Sequence, residues 1–70
     1  MRLITLHRLF AGEEGEQPLR RQIAVNPAFI ISAEPAGDAD EYSLITLAEH
    51  PDAVMVDVRF ERLLELLAGA

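Results

Sequence analysis

The feature that most constrains this chain is a broken apolar run. Residues 23–35 read IAVNPAFIISAEP, and Asn26-Pro27 interrupts the run in its middle. Proline has no amide proton and is not tolerated inside a central strand. Asn before proline favours a turn, because its side chain caps nearby backbone amides. A helix with Asn26 as N-cap and Pro27 at its first position is the competing reading. The segment that follows is β-branched in its middle and ends at a second proline, Pro35, which is strand length rather than helix length. The stretch therefore predicts a strand at 19–25, one tight turn at 26–28 and a strand at 29–34.

The rest of the chain follows the same grammar. RLITLHRLF at 2–10 alternates as a first strand, with Leu3, Thr5, His7 and Leu9 on one face and Ile4, Leu6, Arg8 and Phe10 on the other. AGEEGEQP has the composition of a loop. SLITLAE at 43–49 and AVMVDV at 53–58 read as two more strands, joined by HPD turn chemistry. In the last segment the period changes. Phe60, Leu63, Leu64 and Leu67 recur at helical spacing, with Asp57 as candidate N-cap and Gly69 as stop. The expectation is one α+β domain over 1–70. It consists of an antiparallel sheet of about five strands and a C-terminal helix, about 59–68, packed on one face.

Composition sets what such a domain needs. The chain has 70 residues and no cysteine, so disulfides and thiolate zinc sites are excluded. Small scaffolds usually require a disulfide, a metal or a partner chain, yet 50% of these residues are hydrophobic. The strands carry apolar residues on both faces, and one short helix covers only one of them. The second face is therefore expected to be covered by another copy, with Leu6, Phe10, Phe29, Ile30, Ile31, Leu44 and Met55 as candidate interface residues. Which strand faces combine on the helix side depends on a register that the sequence leaves open.

Charge narrows the partners. The net charge is −6, and all six basic residues are Arg. A diffuse acidic balance argues against phosphate-driven nucleic-acid binding. An RNA-binding regulator would have to cluster Arg8, Arg20, Arg21 and Arg59 by dimerisation. No apolar run approaches the roughly 18 residues of a membrane span, and the N-terminus lacks signal-peptide features. The expectation is a soluble, bacterial-type cytoplasmic protein.

Candidates for chemistry are few. Glu49, His50 and Asp52 lie close together in AEHPD, where a metal-dependent enzyme would place ligands, with His7 as a further imidazole. Solvated turn residues and a half-buried structural histidine are the ordinary readings of the same positions. The acidic stretches 13–16 and 38–41 lack the roughly 12-residue ligand spacing of an EF-hand. No catalytic residue, cofactor or metal is therefore expected.

The pattern VNPAFIISAEP…SLITL…VMVDVRFERLLELL resembles the FlbD-like family of short proteins encoded in bacterial flagellar operons. Leu3–Leu6 match that family's opening strand, Asn26-Pro27 its turn, Ile30 and Glu34 its third strand and Ser43–Leu47 its fourth. Phe60, Leu63, Leu64 and Leu67 match its helical stripe. The resemblance implies a small non-enzymatic accessory protein with no assigned catalytic residues. A weaker resemblance, through Val58-Arg59 with Glu61, is to the carbon-storage-regulator RNA binders, intertwined dimers of five strands and a helix. Their G-E-x-x-x-I-G element is missing here.

Overall fold

The computed structural model describes residues 2–10 and 17–69, so the acidic stretch 13–16 lies outside the described residues. Asn26-Pro27 does what its chemistry predicts. The Asn26 side chain accepts a 3.0 Å hydrogen bond from the Ala28 amide, and Pro27 opens a single 3-10 turn, Pro27–Phe29. The Phe29 amide closes that turn on the Asn26 carbonyl at 2.9 Å.

Around it lie β1 (Ile4–Phe10), β2 (Leu19–Val25), β3 (Ile30–Ala36), β4 (Tyr42–Leu47), β5 (Val54–Val56) and α1 (Phe60–Ala68). All strand pairs are antiparallel, in the order β2-β1-β5-β4-β3. The α+β class, the five strands and the C-terminal helix are as expected. Several strand bounds differ, the first strand beginning at Ile4 and the fourth at Tyr42. The third strand begins after Phe29 and runs through Pro35, tolerated because β3 is an edge strand. The fourth ends at Leu47, and the fifth is only Val54–Val56.

The strands joined at Asn26-Pro27 are not neighbours but the two edges of the sheet. A flat five-stranded sheet would hold its outer strands roughly 19 Å apart, at about 4.8 Å per step. The chain from Val25 to Ile30 reaches at most about 17 Å when fully extended, and the 3-10 turn shortens it further. The sheet must therefore curl at this end to bring its edges together.

Register decides which faces combine. Ile4 pairs with Val25 and Leu6 with Ile23, and Ile45 pairs with Val54. These residues enclose the core with Val56 and with Leu63 from the helix. Ser43 is also fully buried there, and its hydroxyl donates to the Val58 carbonyl at 2.9 Å.

Two helix expectations are corrected. Asp57 is not the N-cap. Arg59 occupies that position without a side-chain cap bond, while the Asp40 carbonyl accepts from the Phe60 amide at 3.3 Å and the Asp57 carboxylate turns to Arg20. Leu64 is 49% exposed, so the buried stripe is Leu63 with the partly buried Leu66 and Leu67. Gly69 is the C-cap, as its position predicts. Among the described residues no helix is long and apolar enough to cross a membrane.

Candidate functional site

Strand alternation turns one side chain in two away from the helix. The ladders show which of these lie side by side. Leu9 pairs with Arg20, Leu44 with Met55 and Glu34 with Leu44. Arg8 pairs with Val56, and continuing that register by one residue sets Leu9 opposite Met55. The result is one row across all five strands, Arg20–Leu9–Met55–Leu44–Glu34, on the face the helix leaves open. The neighbouring row places His7, Asp57 and Tyr42 on the same face. A depression of about 520 Å³ opens here, lined by Leu9, Arg20, Tyr42, Leu44, Met55 and Asp57 among others. Arg20 reaches over Leu9 to Asp57, forming a 2.9 Å ion pair at the rim.

The seven residues expected at an interface between copies fall in different places. Leu44 and Met55 line the open face. Leu6 does not: it is 3% exposed and belongs to the chain's own core. Ile30 packs against that core as well, so both are taken up internally because β1 and β3 turn them toward the helix. Phe10 lines the same depression as Leu44 and Met55; it is half-buried, with the Arg8 guanidinium 4.4 Å over its ring. Phe29 and Ile31 are exposed. Phe29 lines a separate hollow of about 400 Å³ with Leu3, Ala24, Leu47, Ala48 and His50, and Ile31 sits where the β3–β4 register shifts. Leu9, Tyr42, Asp57 and Glu34 were not on the expected list. Alternation placed only Leu9 on a face, and the pairing register is what shows that the four lie together.

The four arginines do not gather on one face of the sheet, although Arg8 and Arg20 both line the depression of about 520 Å³. Arg8 and Arg21 are cross-strand partners on one side of the sheet. Arg20 lies on the other, bound to Asp57, and Arg59 donates to the Ala39 carbonyl at 3.3 Å. In the HPD turn, His50 Nδ1 is 2.8 Å from the Asp52 carbonyl. His7 stands half-buried on β1. Among the described residues no group of His, Asp and Glu is close enough to hold a metal ion.

In the second acidic stretch, 38–41, the Glu41 carboxylate is engaged internally. Glu41 accepts from the Ala39 amide at 2.8 Å. Its own backbone amide, then that of Ala39, holds the carboxyl below its ordinary pKa, with Arg59 adding attraction. Comparison with protein families, curated proteins and solved structures finds no match to this chain.

Proposed function

We propose that this chain is a non-catalytic interaction module that works as a homo-oligomer through the sheet face its helix leaves open. The supporting observation is the grouping of Leu9, Leu44, Met55 and Tyr42 around one depression on that face. Exposed apolar clusters rimmed by polar groups mark association sites, and a small chain without disulfides gains most from a partner that buries them. A cytoplasmic accessory role, of the kind the FlbD-like resemblance implies, fits such a module. Sedimentation equilibrium tests the reading. The expected result is a dimer or larger assembly at micromolar concentration, and a clean monomer there overturns it.

A further inference from the structure

The row Arg20–Leu9–Met55–Leu44–Glu34 has a property beyond its apolar centre. It is antisymmetric in charge. Met55 lies on the middle strand, β5, and either end of the row is two strand steps away. One end carries a cation and the other an anion, each roughly 10 Å from the middle strand at about 4.8 Å per strand.

We infer that the open face binds a second copy of this chain about a two-fold axis lying along β5 at Met55, with reciprocal Arg20–Glu34 ion pairs between the copies. This rests on the reading that the chain self-associates through its open face. A face packed against itself needs a two-fold axis in the plane between the sheets. An axis along the row would set Arg20 against Arg20 and Glu34 against Glu34. An axis along the strands reverses the row instead. It sets Leu9 against Leu44, Met55 against Met55, and each arginine against the other copy's glutamate. Charge therefore selects one of the two orientations.

The row crosses β1 and β2 at the end away from the Asn26-Pro27 connection, where the curl is required, and flat-sheet spacing gives the reach of the pairs there. Packed sheets cross at about 30°. At the outer strands this displaces the facing residues by about 5 Å, within reach of two long side chains. Both ends are available, since Arg20 and Glu34 are exposed. Arg20 is already 2.9 Å from Asp57 of its own chain. A guanidinium has five N–H donors, so one arginine can hold Asp57 and the partner's glutamate together. Asp57 lies two residues from Met55, so this axis brings the two copies' Asp57 near each other, each held by its own Arg20.

Charge reversal with mixing tests this orientation. Arg20→Glu leaves acids at both ends of the row, and Glu34→Arg leaves bases at both ends. Each variant alone is expected to self-associate at least about tenfold more weakly than the parent chain. An equimolar mixture is expected to recover association as a heterodimer, read by native mass spectrometry and sedimentation. An effect confined to one chain cannot be restored by mixing. Circular dichroism establishes that both variants are folded. If either reversal unfolds the chain, Arg20→Gln and Glu34→Gln carry the same test, with one of the two ion pairs returning in the mixture. A parent dimer indifferent to reversal, or a mixture that restores nothing, overturns this orientation and leaves self-association standing. A monomeric parent chain removes both.

Discussion

Gly37 and Glu41 form the most sharply defined residue-level device in the molecule. Gly37 adopts φ +86, and a Cβ built there would meet the Glu41 Oε1 at 2.5 Å. Gly37→Ala therefore faces left-handed backbone strain of about 1–2 kcal/mol and also pushes the carboxylate off its amides. A lower melting temperature is expected, together with a Glu41 pKa that rises toward its ordinary value in an NMR titration. Because folding lowers the Glu41 pKa, its contribution is complete above the unfolded value. It is lost as pH falls through the folded value. Glu41→Gln should accordingly flatten the pH dependence of stability below about pH 4.3, and a variant with an unchanged acid limb would refute this. Asp40 and Glu49 also have positive φ, 55 and 65. Asp tolerates this region better than most residues, whereas Glu49 gives no such signal and only the HPD that follows it marked a turn. Asn26-Pro27, by contrast, marked the place of its turn through local backbone chemistry, though Asn26 acts there as the N-cap of a 3-10 turn with Pro27 at its start, a short form of the competing helical reading.

Among the elements, the helix shows how far periodicity reaches. A 3.6-residue repeat identified α1 and its stop at Gly69. It could not say which flank of a leucine-rich stripe meets the sheet, since Leu63, Leu64, Leu66 and Leu67 are chemically equivalent. The structure separates them. Leu63 is 0% exposed and Leu64 49%. Leu63→Ala is expected to cost about 2–5 kcal/mol through lost burial and an unfilled cavity, and Leu64→Ala less than about 1 kcal/mol. Urea unfolding of both variants checks the contrast, and equal losses would refute the packing. The N-cap was misassigned for a related reason. Asp57 is the right residue type near the helix start, but an arginine two strands away competes for its carboxylate, and backbone from the 37–41 turn supplies the acceptor instead.

For the molecule as a whole, the number, type and rough bounds of the elements were readable, while strand order and register were not. Both depend on contacts between distant segments, and a one-residue slip would exchange the faces. That is why Leu6 was assigned to an interface and Leu9 was not. The open face yields a direct test. Leu44→Asp and Met55→Asp place a charge in its apolar centre, where a partner would bury it unpaired. Loss of self-association in sedimentation is the expected outcome, with a melting temperature lowered by the partner's lost contribution and circular dichroism showing the strand signal retained at low temperature. Unchanged association would move the interface elsewhere, for instance to the hollow beside Leu3 and Phe29.

The seam between β1 and β5 has a consequence for how the chain folds. Its ladder consists of Arg8 opposite Val56, supported by the Asp57 amide on the His7 carbonyl at 2.7 Å. Every other strand pairing joins segments adjacent in sequence. The β1–β2 hairpin and the β3–β4–β5 meander can each form with short loop closures, whereas the seam must bring the two ends of the chain together at a larger entropic cost. Closing it is therefore expected to be the late step in assembling the sheet, and Val56→Ala should then speed unfolding in a stopped-flow experiment while leaving the folding rate nearly unchanged.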